Sequence, residues 1–169
     1  MLAVHGGVGT KLTGVDRLCS DAIKKWRNDP VQSVVHLEGE PLVNCGYGSN
    51  LSLNGRVECE AGYMCSEKYA FGAVGAVSNT RHPILAAKYL ATKFLSESMF
   101  ALIPPQVVVG TGADLLISEL NLPIVENSEL KSPLAIKGFE SAKKAMEELN
   151  PNDTLMEEKM DTVGSVYIS

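Results

Sequence analysis

Apolar positions along the chain follow two periods, and each predicts its own kind of element. Val15, Leu18, Cys19, Ala22, Ile23 and Trp26 recur every three or four residues, which predicts an amphipathic helix ending near Asn28 with Trp26 in the core. Asp29-Pro30 then reads as the cap and first position of a second helix carrying Val31, Val34 and Val35. His82-Pro83 opens a third, bearing Ile84, Leu85, Ala87, Ala91, Phe94 and Leu95. Gly110-Thr111-Gly112 leads into a helix over Ala113–Leu120. A last helix runs from Ser132 to Leu149, with Ala135, Ile136, Phe139, Ala142 and Met146 on one side.

Between these lie runs too short or too rich in glycine for helices. Leu2-Ala3-Val4 predicts a short buried strand entering His5-Gly6-Gly7-Val8-Gly9. Pro41 to Asn50 is an apolar run interrupted by glycine that cannot hold a helix. Asn54-Gly55, between Leu51-Ser52-Leu53 and Arg56-Val57-Glu58-Cys59, signals a two-residue hairpin. Met64 to Val77 continues as strand, and its small residues Gly72, Ala73, Gly75 and Ala76 let another layer come close. Pro104-Pro105 closes a loop before Val107-Val108-Val109, read as a buried strand. Asn150 to Asp161, with Pro151, Asp153, Glu157 and Glu158, predicts an exposed loop open to cutting. A strand from Thr162 to Ile168 follows it. Strands alternating with helices place the chain in the α/β class.

Composition narrows the setting. At 169 residues, 45% hydrophobic and 21% charged, the chain has the profile of one soluble globular domain. A net charge of -5 gives no basic footprint for nucleic acid. Cys19, Cys45, Cys59 and Cys65 are scattered, and Met1 to His5 is too short an apolar run for a leader. These features imply reduced thiols in a cytoplasmic or nuclear protein, away from membranes. His5, His36 and His82 lack the spacing of a metal site and read as structural.

Four stretches carry possible chemistry. Gly6-Gly7-Val8-Gly9-Thr10-Lys11 is close to a phosphate loop, but Thr10 separates Gly9 from Lys11, and Leu12 stands where a hydroxyl is needed. Its other readings are an anion pocket of backbone amides or a tight turn. Gly110-Thr111-Gly112 after a strand resembles a dinucleotide fingerprint, but Leu115 occupies the third glycine position. Asn44 presents an amide to a substrate or ties its own turn, and the turn is the stronger local reading. Thr162 sits where an acidic loop meets an apolar strand. A threonine there can attack the carbonyl carbon of the residue before it, break that bond and gain a free amine. With a pKa of roughly 7.7–8.0, that amine can serve as base for its own hydroxyl. The plain alternative is a β-branched residue opening a strand.

Taken in order, several of these runs resemble the asparaginase type 2 family of N-terminal nucleophile hydrolases, and within it the threonine aspartase (taspase) branch. They are Val4-His5-Gly6-Gly7-Val8-Gly9, Asn44-Cys45-Gly46-Tyr47-Gly48-Ser49-Asn50-Leu51, Gly55-Arg56-Val57-Glu58-Cys59, Phe71-Gly72-Ala73-Val74-Gly75-Ala76-Val77, Ile103-Pro104-Pro105 and Asp161-Thr162-Val163-Gly164. Asp161 before the nucleophile, where asparaginases usually have Gly, and Ile103-Pro104-Pro105 favour the taspase branch.

The resemblance implies that Thr162 is the nucleophile and Asp161–Thr162 the self-cleaved bond. It also implies that Gly7 lends a backbone N–H near the nucleophile and that Asn44 supports it. Residues 1–161 would form the heavy subunit, with a variable linker over about 121–161, and 162–169 would begin the light one. The expected fold is an αββα sandwich, incomplete because most light-subunit strands lie beyond Ser169. The expected function is a threonine endopeptidase precursor that cuts proteins after aspartate, inactive as this chain alone. Its partners would be those protein substrates and the light subunit, in a heavy–light pair. The alternatives are an isoaspartyl peptidase/L-asparaginase, or an inactive fragment that only binds a partner. Asparaginases hold a cation on backbone carbonyls around Leu37 to Tyr47; the taspase-like reading carries over neither metal nor cofactor. Ser165 departs from the family, which has Ala there.

Overall fold

A computed structural model describes residues 1–7, 13–94, 102–148 and 162–168. Among them five strands and five α-helices appear, which confirms the α/β class. The order is β1 (Leu2–His5), α1 (Val15–Lys25), α2 (Pro30–Glu38), a 3-10 turn at Gly46–Gly48, β2 (Cys59–Cys65) and β3 (Ala70–Val77). Then come α3 (Pro83–Phe94), β4 (Val107–Val109), α4 (Thr111–Glu119), a 3-10 turn at Asn127–Leu130, α5 (Pro133–Glu148) and β5 (Gly164–Tyr167). None of the described helices is long and apolar enough to cross a membrane.

The strands form two sheets, β1-β5 and β2-β3-β4. β2 and β3 pair antiparallel, with a register irregularity between Cys59 and Ala61, while β3 and β4 run parallel. The helix α3 packs on β3 closely enough that a Cβ on Gly72 would overlap the backbone of Ala87 and Ala91. That is the use the small residues of β3 foretold. The main core gathers Val31 from α2, Val74 and Val77 from β3, Ile84, Ala86, Ala87 and Leu90 from α3, and Ala113 and Ile117 from α4. Val57, Cys59 and Leu130 form a smaller second cluster.

The helix starts follow their signals. Asp29 Oδ1 accepts from the Gln32 N–H at 3.0 Å, and Pro30 occupies the first turn. Three strand expectations need correction. Asn54-Gly55 does make a turn, with the Gly55 N–H bonded to the Ser52 carbonyl at 2.7 Å. The pairing, however, starts at Cys59, and the hairpin closes at Ser66–Tyr69 inside the stretch read as one strand. Val107 and Val109 are 54% and 61% exposed, not buried, because β4 is an edge strand with only Val108 turned into the core. Leu2 and Val4 are half-buried and Ala3 exposed, so β1 alternates instead of being buried throughout. Trp26 is half-buried, with Lys25 Nζ 5.1 Å from its ring centre.

Candidate active site on the first and last strands

The two ends of the chain meet in one ribbon. β1 and β5 pair antiparallel as Leu2↔Tyr167, Ala3↔Val166, Val4↔Ser165 and His5↔Gly164. Met1 and Ile168 continue the ladder through hydrogen bonds between their backbones. At the other end the pairing stops at His5↔Gly164, and two residues further along stand Gly7 on one side and Thr162 on the other. Residues 155 positions apart in sequence, each singled out separately, therefore share one end of the ribbon. Thr162 is exposed there, and Gly7 has φ +97°, a backbone geometry that glycine adopts without strain.

Close packing holds that end down. A Cβ on Gly6 would overlap Val15 of α1 and stand 3.2 Å from Cys19 Sγ and 3.5 Å from Val43 Cγ1. The imidazole of His5 lies against Gly164, leaving no room for a side chain at that position. Side chains alternate along a strand, so Ser165 and Tyr167 share one face of β5 while Gly164 and Val166 share the other. Ser165 Oγ donates to the Pro30 carbonyl at 2.7 Å, which identifies the first face as the one laid on α2.

Asn44 follows Val43 and so lies near the same end. Its Oδ1 accepts the Asn50 N–H at 2.9 Å, the turn-tying role its local sequence suggests. It thus fixes the loop from Pro41 to Asn50. Asp161 and the glycine-loop residues Val8 to Leu12 lie outside the described residues. An open cavity of about 400 Å³ lined by Met1, Leu2, Ile23, Arg27 and Asn28 lies at the other end of the ribbon. None of the candidate site residues Gly7, Asn44 and Thr162 lines it.

The thiols of Cys45 and Cys59 are muted. Burial, followed by the nearby Glu38 and Cys59, pushes the Cys45 thiol far above its ordinary range. Burial likewise raises the thiol of Cys59, although Ser49 Oγ lies 3.2 Å from its sulfur. Protonated thiols of this kind are poor nucleophiles. Among the described residues no group of three or more His, Cys, Asp or Glu side chains could hold a metal ion.

The sequence reading passed over Glu38, which is 2% exposed at the end of α2. Its Oε1 accepts the Ile84 N–H at 3.2 Å, and its Oε2 stands 3.6 Å from His82 Nδ1. A carboxylate in a helix's last turn opposes the helix dipole, and that local conflict was the signal that it serves a distant partner. Burial raises its pKa from 4.5 to about 7, with the His82 and Ile84 contacts pulling the other way. The folded chain therefore keeps this proton over a pH range where the unfolded chain has lost it. Stability falls as pH rises from about 4.5 to about 7, by about 3 kcal/mol on that gap, and is level beyond. Glu38→Gln keeps an acceptor for Ile84 and removes the titration. Urea melts should show the variant gaining on the wild type between pH 5 and pH 8. An unchanged difference at the two pH values would refute the assignment.

Comparison with known proteins adds a lineage. A family model described as asparaginase matches residues 11–169. The chain is 32% identical over 136 residues to a plant-type L-asparaginase of Pyrobaculum calidifontis, covering 72% of this chain and 42% of that protein. It is 27% identical over 158 residues to an isoaspartyl peptidase/L-asparaginase of Mus musculus, covering 85% and 46%. With the protein of that description from Homo sapiens the figures are 29% over 136 residues, 80% and 40%. The chain spans less than half the length of each of these relatives.

Proposed function

The chain belongs to the asparaginase type 2 family of hydrolases, and from that premise we propose that Thr162 is the nucleophile of an amide hydrolase that first cuts its own backbone. In the self-cleavage step Thr162 Oγ attacks the carbonyl carbon of Asp161, the C–N bond breaks, and an ester links the two residues. Water hydrolyses the ester, leaving the carboxyl of Asp161 and a free amine on Thr162. That amine then takes the hydroxyl proton as Oγ attacks a substrate carbonyl; the substrate C–N bond breaks, its nitrogen leaves as amine or ammonia with that proton, and a second water hydrolyses the remaining ester to release the acid. The observation that carries this reading is the register of β1 and β5, from one end of which both Gly7 and an exposed Thr162 extend. A backbone N–H from the Gly7 turn is the kind of fixed donor that stabilises a developing oxyanion. Asn44 supports the site through its loop.

Two substrate readings follow. The relatives named isoaspartyl peptidase/L-asparaginase support hydrolysis of isoaspartyl peptides or L-asparagine. Asp161 favours the second, an endopeptidase cutting after aspartate. The bond cut first is the protein's own, so a site that processes Asp161–Thr162 has already accepted an aspartyl residue on the acyl side. In this proposal residues 1–161 are the heavy subunit and Thr162 onward the light one. The two form a heavy–light pair whose joint strands stack as an αββα sandwich, with no role for nucleic acid, membrane, metal or cofactor.

The intact protein should be offered L-asparagine, an isoaspartyl dipeptide and an aspartate-containing peptide in parallel. Release of ammonia or of the dipeptide's amine selects the first reading, and a cut peptide ending in aspartate selects the second. Inertness toward all three, or activity that survives Thr162→Ala, would end the proposal.

A further inference from the structure

A two-stranded ribbon has little stability of its own, so β1-β5 depends on what fastens it to the helices. The hydrophobic pattern of β5 does not choose the face that packs. Val163 is half-buried and Tyr167, on the face of Ser165, is 40% exposed, while Val166 and Ile168 are 64% and 59% exposed. When neither face is clearly the apolar one, pairing register is weakly specified, and a slip of one residue exchanges the faces.

One hydroxyl breaks the tie. Ser165 Oγ donates to the Pro30 carbonyl at 2.7 Å across 135 positions of sequence. That carbonyl belongs to the first turn of α2, fixed by the Asp29 cap, and it also accepts Ser33 Oγ at 2.7 Å. A slipped strand would bring Gly164 or Val166 to the same spot, and neither side chain has a donor to offer. The geometry points to Ser165 as the register pin of β5. It is a positioning residue that holds one face of the strand on α2 and so anchors the strand that Thr162 leads into, at the end of the ribbon shared with Gly7. Its effect on catalysis rests on the reading of Thr162 above; its effect on the strand does not.

Two measurements separate these. Amide hydrogen exchange in the 169-residue chain reports on the ribbon directly. Loss of one hydrogen bond in Ser165→Ala should speed exchange in Leu2–His5 and Val163–Ile168 about tenfold, with α3 unchanged. Ser165→Thr, which keeps the hydroxyl, should restore protection. Self-cleavage of the intact protein, followed by mass spectrometry, should slow by a similar factor in Ser165→Ala and recover in Ser165→Thr. Wild-type exchange in Ser165→Ala would overturn the pin, as would faster exchange that threonine fails to restore; slowed cleavage that threonine fails to rescue would overturn the positioning role. Faster exchange with unaltered cleavage would overturn the positioning role. A wild-type protein that never cleaves itself would sink the reading of Thr162, while the exchange result would still decide the pin.

Discussion

Replacing Thr162 with alanine will leave the intact protein as one uncut chain. The wild type will yield two fragments, one ending at Asp161 and one beginning with Thr162. Removing a catalytic nucleophile lowers turnover on the order of 10⁶-fold in a well-studied hydrolase, and here the same atom is needed for both maturation and turnover. Thr162→Ser keeps the hydroxyl and should still cut, more slowly, because the β-branch no longer restricts the rotamer. Once the amine is free, activity toward any amide substrate should rise with pH through roughly 7.7–8.0, as that base loses its proton. Fold is not at stake, since Thr162 is exposed and precedes the residues paired in β5. Mass spectrometry after expression checks the result. Cleavage of the alanine variant at the same bond, at the wild-type rate, would show that the cut comes from another source.

What could be seen in the sequence was local. Asp29-Pro30 and His82-Pro83 mark helix starts by capping chemistry and a fixed φ, and α2 and α3 begin at those prolines. Gly72 was legible as a point of close approach because a strand residue without a Cβ has few other uses. The turn at Ser66–Tyr69 escaped because it contains neither glycine nor proline; Tyr69 itself adopts φ +48°. Three valines in a row suggested burial for β4, but an edge position is decided by neighbours far away in sequence. Thr162 could be found from a change in character along the chain. Its meeting with Gly7 at one end of the ribbon could not, because the pairing of β1 with β5 joins the two termini. Glu38 was hidden for the same reason: its partners, His82 and the Ile84 N–H, belong to another helix start.

The loop bearing Asn44 should be the most fragile part of this arrangement, and Gly46→Ala tests it. Gly46 has φ +49°, and a Cβ there would overlap the carbonyl groups of Glu38 and Arg81. Neither can move aside easily. Glu38 ends α2, and Arg81 leads into α3, so both backbones are held by helices packed in the main core. The left-handed conformation costs an L-residue about 1 kcal/mol and overpacking adds about 1–3, for a loss of about 2–4 kcal/mol. In a chain of this size that lowers the melting temperature by roughly 5–15 °C. Gly62→Ala is the matched control: no atom lies within 4 Å of a Cβ there, and its stability should stay within about 0.5 kcal/mol of wild type. Because Asn44 and Asn50 close this loop around Gly46, any population that survives folding should also mature more slowly at Thr162. Equal melting of Gly46→Ala and wild type would mean that the loop can open without disturbing either helix. The path from α2 through Asn44 to the threonine would then have no mechanical basis.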